Sequence, residues 1–115
     1  MSVKIYHNPR CSKSRQTLQL IIDQGVEPEV IEYLKTPPSV SELKDILKKL
    51  DIAPRDLMRK KEAEYKATGM NNTELSDEEL INGMINSPKL IERPIVLTDE
   101  KAAIGRPPEV VLKIL

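Results

Sequence analysis

The first 34 residues constrain the fold of this chain most, because they predict a strand, a helix and a second strand in that order. The apolar runs Val3–His7 and Val30–Leu34 are typical of short strands, and the segment from Cys11 to Gly25 has apolar side chains at helical spacing. A helix that joins two neighbouring strands favours parallel pairing. The sequence therefore predicts a parallel β-α-β unit, with Cys11 where the first strand becomes the first helix.

The middle of the chain is predicted to be helical. Ser39 with Glu42 and Ser76 with Glu79 match the capping box, in which each side chain accepts a hydrogen bond from the other residue's backbone N–H. Apolar residues recur at helical spacing after both serines, so each pair is expected to open an amphipathic helix. The polar segment Pro54–Lys66 is predicted to form a further helix.

The C-terminal part predicts two short strands, Pro94–Thr98 and Lys101–Gly105, and a helix that begins at Pro107-Pro108. The resulting order, β-α-β, helices, β-β-α, is the layout of a thioredoxin-like domain. We therefore expect one three-layer α/β domain over residues 1–115 with a four-stranded mixed sheet. A helical insertion at about 39–88 is expected between the second and third strands.

Charge and cysteine content exclude several classes of protein. Lys and Arg together number 18, as do Asp and Glu, so the net charge is zero and general attraction to nucleic acid or to an anionic membrane is not expected. No apolar run approaches the roughly 18 residues of a membrane span, and the first residues lack a signal-peptide pattern, so we expect a cytoplasmic protein. The chain has one cysteine, so no internal disulfide and no metal site are expected.

Cys11 lies in a polar and cationic segment, Asn-Pro-Arg-Cys-Ser-Lys-Ser-Arg, whereas a buried and inert cysteine, the alternative, usually has apolar neighbours. Backbone N–H groups at a helix start and nearby cations both favour a thiolate. Lowering a thiol pKa by two units requires about 2.7 kcal/mol, and a helix end usually supplies about 0.3–1 kcal/mol. Guanidinium groups are expected to supply the rest, and the same donors would hold an oxyanion beside the sulfur.

Two arginines at the ends of predicted elements are candidates for this role. Arg93 directly precedes Pro94 at a strand start, and Arg106 stands between the last strand and the last helix. In thioredoxin-like domains the proline that opens the third strand is cis and faces the active thiol, so we expect Arg93 to lie beside Cys11. Arg55, by contrast, is interpreted as a solvated surface residue.

Other residues around Cys11 have supporting roles in this hypothesis. His7, the only histidine, either polarises Cys11 or supports Ser14, and both roles stay open at this point. Asn8 is expected to shape the turn after the first strand. Arg15 adds positive charge close to the cysteine.

Five sequence blocks resemble the arsenate reductases of the glutaredoxin-coupled, thioredoxin-fold family, and among them a short chromosomal branch. The blocks are Ile5-Tyr6-His7-Asn8-Pro9-Arg10-Cys11, Tyr33-Leu34-Lys35-Thr36-Pro37-Pro38, Leu57-Met58-Arg59-Lys60, Glu92-Arg93-Pro94-Ile95-Val96 and Gly105-Arg106-Pro107-Pro108-Glu109. They span nearly the whole chain. The resemblance implies Cys11 as the nucleophile and His7 as its support. It also implies three arginines that bind the oxyanion and lower the thiol pKa: Arg59, Arg93 and Arg106.

The resemblance further implies a reaction. The Cys11 thiolate would displace a hydroxide from the arsenic of bound arsenate and form a covalent thiol-arsenate adduct. Reduction of As(V) to As(III) requires two electrons, and a single cysteine forms no internal disulfide to supply them. Glutathione is therefore expected as the cosubstrate and glutaredoxin as the protein partner that resolves the mixed disulfide. No bound cofactor is expected.

Two other functions stay open. In a redox-sensing or interaction protein, Cys11 would become glutathionylated and change the binding of a partner. In a glutaredoxin-like thiol exchanger, Cys11 would act on protein mixed disulfides and would need no oxyanion. Anion binding beside the sulfur separates the reductase from the exchanger.

Overall fold

The computed structural model describes residues 2–115. Its strands are β1 (Lys4–His7), β2 (Glu29–Glu32), β3 (Ile95–Leu97) and β4 (Ala102–Ile104). Its α-helices are α1 (Ser12–Asp23), α2 (Val40–Leu50), α3 (Ala63–Ala67) and α4 (Asp77–Asn86), and 3-10 helices lie at Pro54–Leu57, Pro88–Leu90 and Pro108–Lys113. Within residues 2–115, no helix is long and apolar enough to cross a membrane.

The chain divides into two compact units. The first comprises the chain up to Thr36 together with Arg93–Leu115, and it contains all four strands. The second is Pro37–Glu92, and it contains α2, α3 and α4. The expectation of a single domain over residues 1–115 stays a prediction.

The strands form one mixed sheet in the order β2-β1-β3-β4. β1 is parallel to β2, with Ile5 opposite Val30, and antiparallel to β3, with Ile5 opposite Val96. β3 and β4 form an antiparallel hairpin. This topology confirms the parallel β-α-β unit and the thioredoxin-like fold class, with helices inserted between the second and third strands.

The core of the first unit lies where the sheet packs against α1 and the 3-10 helix Pro108–Lys113. Alternate residues of a strand point to one face, so β1, β3 and β4 each supply an apolar side chain to the same layer. The buried cluster consists of Val3, Ile5, Ile21, Val96, Ala103 and Val111. Full burial of one aliphatic side chain of this size contributes about 1.5–3 kcal/mol, so the cluster holds α1 firmly on the sheet.

The C-terminal helix differs from its prediction, because Pro108–Lys113 is a 3-10 helix and not an α-helix. The Val110 N–H donates to the Pro107 carbonyl at 3.1 Å, which is the i to i+3 pattern of this tighter helix. The segment has only 6 residues, and 3-10 helices occur mostly as short segments of this kind.

In the second unit, both predicted capping boxes are present. The Ser39 Oγ accepts the Glu42 N–H at 3.2 Å, and the Glu42 carboxylate accepts the Ser39 N–H at 2.9 Å. Ser76 and Glu79 make the same pair of bonds, at 3.2 and 3.1 Å. α2 and α4 therefore begin where the sequence predicts. Their buried residues are Leu43, Ile46, Leu47, Leu80, Ile81 and Met84.

The prediction of one helix over Pro54–Lys66 is wrong. A 3-10 helix covers only Pro54–Leu57, and Met58 then makes an isolated β-bridge with Ile91. The Glu92 N–H donates to the Leu57 carbonyl at 2.8 Å, so backbone groups that a helix would use are paired with a distant segment. The apolar residues Leu57 and Met58 are buried, which favours this pairing over a solvated helix.

The interpretation of Arg55 as a solvated surface residue is also wrong. Its guanidinium donates to the Tyr65 hydroxyl at 2.6 Å, to the Met70 carbonyl at 2.8 Å and to the Asn72 carbonyl at 2.8 Å. Tyr65 lies in α3, and the two carbonyls belong to the irregular segment that follows it, where carbonyl groups lack helical partners. Arg55 therefore holds that segment in place.

The Ser39→Ala variant is expected to destabilise the protein by about 1 kcal/mol, because it removes the side-chain acceptor that caps α2. Chemical denaturation followed by circular dichroism measures the free energy of unfolding. Ser41→Ala is the matched control, since Ser41 is an exposed residue within the same helix. Equal stability of the two variants would contradict the predicted role of the cap.

Candidate active site

Cys11 occupies the N-cap position of α1, and the turn before it fixes its backbone. Its φ and ψ angles, −97° and 123°, are extended, as is usual for an N-cap residue. Its N–H donates to the Asn8 carbonyl, and its own carbonyl accepts the Arg15 N–H, both at 3.0 Å. The side chain is partly exposed. The alternative of a buried cysteine is therefore wrong, and the reactivity of Cys11 stays a prediction.

Several hydrogen-bond donors surround the Cys11 sulfur. Partial burial raises the pKa of the thiol, because it penalises the charged form. Hydrogen bonds from the Ser14 backbone N–H and from the Arg93 side chain lower it, and the positive charge of Arg93 and the Lys13 backbone N–H add to that effect. The donors outweigh burial, so the pKa of Cys11 lies below its ordinary value. A thiol of this kind is ionised more readily near neutral pH.

Arg106 also reaches the sulfur, since its Nη2 lies 3.5 Å from the Cys11 Sγ. Its Nε donates to the Arg93 carbonyl at 2.7 Å, which links the two arginines. The Arg93-Pro94 peptide is cis, as the fold analogy predicts. The structure therefore brings Arg93 and Arg106 to Cys11 from opposite ends of the C-terminal hairpin.

Gly105 allows this arrangement because a side chain would not fit at its position. A Cβ there would lie 2.5 Å from the Thr17 Oγ1 and 2.8 Å from the Pro94 Cγ. The Gly105 N–H donates to the Pro94 carbonyl at 2.9 Å. The end of β4 therefore lies directly against α1 and the start of β3, and Arg106 follows at once.

His7 and Ser14 form a buried polar pair beneath the loop that leads to Cys11. The His7 Nδ1 lies 2.6 Å from the Ser14 Oγ, which also accepts the Asn8 N–H at 3.0 Å. Burial lowers the pKa of His7 and favours the neutral ring, although the Glu32 carboxylate opposes this. Of the two roles left open for His7, the structure shows contact with Ser14. The Ser14 backbone N–H in turn lowers the pKa of Cys11.

Asn8 and Arg15 shape the same loop. The Asn8 Oδ1 accepts the Arg10 N–H at 3.0 Å, which closes a turn of the kind that Asn favours. The Arg15 guanidinium donates to the Pro9 carbonyl at 3.0 Å. Through this exposed hydrogen bond, Arg15 stabilises the loop between β1 and α1.

Arg59 belongs to the second unit, where two carboxylates hold it. Its Nε lies 3.2 Å from a Glu62 oxygen, and its Nη1 lies 2.8 Å from a Glu92 oxygen. The Arg59 side chain is 22% exposed. Its assignment to the oxyanion site stays a prediction.

Sequence analysis predicted backbone N–H groups at the helix start without naming their residues, and it missed Tyr33. The backbone N–H groups of Lys13 and Ser14 are available because α1 starts at Ser12, and a helix start was a signal that could have named them individually. Tyr33, which is buried, raises the pKa of Arg93. The sequence carries no local signal for this effect, because it depends on the order of the strands.

The geometry combines a nucleophile with a set of anion donors. A thiol of lowered pKa lies at a helix start beside two guanidinium groups, and the same groups are suited to a tetrahedral oxyanion. Nucleophilic attack on such an anion needs this neutralisation, because two negative charges must approach each other.

Comparisons with known proteins agree with this geometry. A sequence profile of the ArsC family matches residues 6–114. A protein of Haemophilus influenzae named arsenate reductase is 51% identical over 116 residues, covering 100% of both chains. An uncharacterised protein of Escherichia coli K12 is 56% identical over 114 residues, covering 98% of this chain and 96% of that protein. The solved structure of an arsenate reductase from Vibrio cholerae is 53% identical with a TM-score of 0.96, covering 100% of this chain and 98% of that one.

Replacing Arg93 or Arg106 by leucine is expected to raise the pKa of Cys11, because each change removes a donor and a positive charge from the sulfur. For Arg93→Leu the expected rise is about one unit. Since the thiolate is the species that reacts, alkylation by iodoacetamide would slow at neutral pH and recover at high pH. The pH dependence of the alkylation rate measures the shift.

Arg10→Leu is the matched control for this experiment. It removes the same charge one residue from Cys11, at an exposed position. If Arg10→Leu and Arg93→Leu shift the alkylation profile equally, the contact between Arg93 and the sulfur is not the cause.

Proposed function

The chain belongs to the ArsC family, and on that basis we propose that it reduces arsenate to arsenite with Cys11 as the nucleophile. One observation carries the proposal. The Cys11 sulfur lies at the start of α1, 3.5 Å from the Arg106 Nη2, and Arg93 lowers the pKa of its thiol. Relatives named arsenate reductases that match this chain over its length support the choice of substrate.

In the proposed complex, the arsenate oxygens replace solvent around the sulfur. Arg93 and Arg106 donate to these oxygens, together with the backbone N–H groups at the start of α1. Guanidinium groups are suited to this role because they present paired donors at fixed geometry. The family resemblance adds Arg59 as the third arginine, which would exchange a carboxylate partner for arsenate.

The first chemical step forms a bond between sulfur and arsenic. The Cys11 thiolate donates an electron pair to arsenic, one As–O bond breaks, and the oxygen leaves as water after it takes up a proton. The product is a thiol-arsenate adduct in which arsenic is still As(V). Arg93 and Arg106 stabilise the charge that builds on the remaining oxygens.

The second step reduces arsenic and needs a second thiol, since the chain has one cysteine. A glutathione thiolate attacks the Cys11 sulfur, the S–As bond breaks, and its electron pair leaves with arsenic as As(III). Two thiols are thereby oxidised to a mixed disulfide, which supplies the two electrons. Glutaredoxin then returns Cys11 to the thiol by exchange. A cytoplasmic location, which we also propose, provides these reducing thiols.

The Cys11→Ser variant is expected to produce no arsenite above the rate without protein, because a hydroxyl of ordinary pKa neither attacks arsenate nor forms a mixed disulfide. Arsenite formation is measured with glutathione and glutaredoxin present. Ser12→Ala, which changes the exposed neighbour, is the control and should retain activity. Arsenite production by Cys11→Ser would refute the mechanism.

Protection of Cys11 from alkylation separates the proposal from its alternatives. Arsenate should slow alkylation of the wild-type protein if the anion binds beside the sulfur, whereas a thiol exchanger needs no such site. A redox sensor would capture a partner in a glutathione-dependent way and would not turn over arsenate.

The same assay tests Arg59. In Arg59→Leu, the arsenate concentration that gives half-protection is expected to rise roughly tenfold, because a charge-assisted hydrogen bond to the anion is lost. Lys60→Leu, at the next and exposed position, is the matched control. Half-protection at the wild-type concentration in Arg59→Leu would remove Arg59 from the oxyanion site.

A further inference from the structure

An open groove lies between α1 and the C-terminal 3-10 helix, in the unit that carries Cys11. Its volume is about 380 Å³, which is within the usual range of small-molecule sites. It is lined by Gln16, Gln19, Leu20, Pro108 and Glu109. The 3-10 helix packs against α1 and buries Pro108, so the two walls are held together by the core of the first unit.

The α1 wall of the groove continues toward Cys11. On a helix, residues three and seven positions apart share one face, and Lys13, Gln16 and Leu20 have this spacing. Gln16 and Leu20 line the groove, and the exposed Lys13 lies on the same face only two residues after the cysteine. The groove face of α1 therefore ends beside the nucleophile.

The other wall also begins next to the sulfur. Pro108 follows Arg106 by two residues, and the Arg106 Nη2 lies 3.5 Å from the Cys11 Sγ. The distance along α1 from Lys13 to Leu20 is about 10 Å, at 1.5 Å per residue. An extended tripeptide has a similar length, since each residue spans at most about 3.3–3.6 Å. The groove thus has the length of a tripeptide that reaches the sulfur.

The groove presents opposite charges on its two walls. The side chains of Lys13 and Glu109 are exposed, and neither forms an ion pair within residues 2–115. Lys13 is a donor for a carboxylate, Glu109 is an acceptor for an ammonium group, and the Gln16 amide is suited to a peptide group. A purely acidic ligand would be repelled by Glu109, so the charges favour a zwitterionic peptide.

Glutathione has the chemistry that this groove requires. It is a tripeptide with a central thiol, a glycine carboxylate, two amide groups and a γ-glutamyl group that carries an ammonium. We propose that the groove binds glutathione, with the glycine carboxylate on Lys13, the γ-glutamyl ammonium on Glu109 and the thiol at the Cys11 sulfur. The use of glutathione as the reductant of arsenate rests on the proposed function, whereas the binding site itself does not.

Thiol exchange with glutathione disulfide tests the site without arsenate. The Cys11 thiolate attacks one sulfur of the disulfide, a new S–S bond forms, and the other half leaves as glutathione thiolate. Intact-mass spectrometry follows the mixed disulfide. Bis(2-hydroxyethyl) disulfide, which is uncharged and lacks peptide groups, serves as the reference reagent. The ratio of the two rate constants measures recognition, because both reactions use the same thiolate and changes in its ionisation cancel.

Lys13→Gln is expected to lower this ratio roughly fivefold, because it removes one exposed ion pair with the glycine carboxylate. Arg10→Gln is the matched control. Arg10 carries the same charge and is exposed next to Cys11, but it does not line the groove. An unchanged ratio in Lys13→Gln, or an equal fall in both variants, overturns the proposal.

Gln16→Trp fills the groove with a large side chain and is expected to bring the ratio close to one, the value without recognition. Ile22→Trp is its control, since Ile22 is exposed on α1 and lies outside the groove. A ratio in Gln16→Trp that equals wild type, or that equals the ratio in Ile22→Trp, overturns the proposal.

A measurement on the wild-type protein covers the case in which a variant does not fold. S-methylglutathione, which cannot exchange with Cys11, should shift the backbone NMR signals of Lys13, Gln16 and Glu109 in a saturable way. Absent shifts, or shifts only outside the groove, overturn the proposal. Such a failure leaves the arsenite assay of Cys11→Ser intact, and a protein that binds glutathione here but produces no arsenite would refute the proposed function alone.

Discussion

The reactivity that we propose for Cys11 depends on the balance of charge around its sulfur atom. Partial burial opposes ionisation of Cys11, and only donors aimed at the sulfur reverse that effect. The helix start supplies two backbone N–H groups, but a helix end alone is worth about 0.3–1 kcal/mol. Arg93 lowers the pKa of the thiol further, the Arg106 Nη2 lies 3.5 Å from the sulfur, and we propose that the same two guanidinium groups bind the oxyanion.

The thioredoxin-like scaffold places these groups by using the ends of its strands. The loop after β1 carries Cys11 to the start of α1, and the buried pair His7 and Ser14 holds that loop from below. Arg93 and Arg106 lie at the two ends of the β3-β4 hairpin. The Arg106 Nε donates a hydrogen bond to the Arg93 carbonyl at 2.7 Å. Rigid elements therefore set the geometry, while the reactive atoms lie on the short segments that join them.

Sequence reasoning succeeded where the determining interaction is local. The capping boxes of α2 and α4 lie within four residues, so Ser39 and Ser76 fixed the helix starts without knowledge of the fold. Strand ends and prolines mark loop positions directly, and on that basis the sequence predicts three candidate site residues: Cys11, Arg93 and Arg106. The roles of these residues stay predictions, but their proximity is a property of the structure.

The predictions that failed concern residues whose contact partners lie far away in the sequence. Met58 pairs with Ile91, so a segment with helical composition becomes extended, and Arg55 contacts residues ten to seventeen positions away. Tyr33, which raises the pKa of Arg93, follows β2, whereas Arg93 precedes β3 on the other side of β1. No single stretch of sequence contains both sides of these contacts, so periodicity and capping signals do not reveal them.

The most direct test of the central claim is the ionisation of Cys11 in the unmodified protein, followed through the ultraviolet absorbance of the thiolate as pH is varied, with Cys11→Ser as the blank. The account predicts a single transition whose midpoint lies below that of a free cysteine, which ionises at about pH 8.5. A midpoint at or above that value would show that the arginines and the helix start do not hold the sulfur as a thiolate, and would contradict the account.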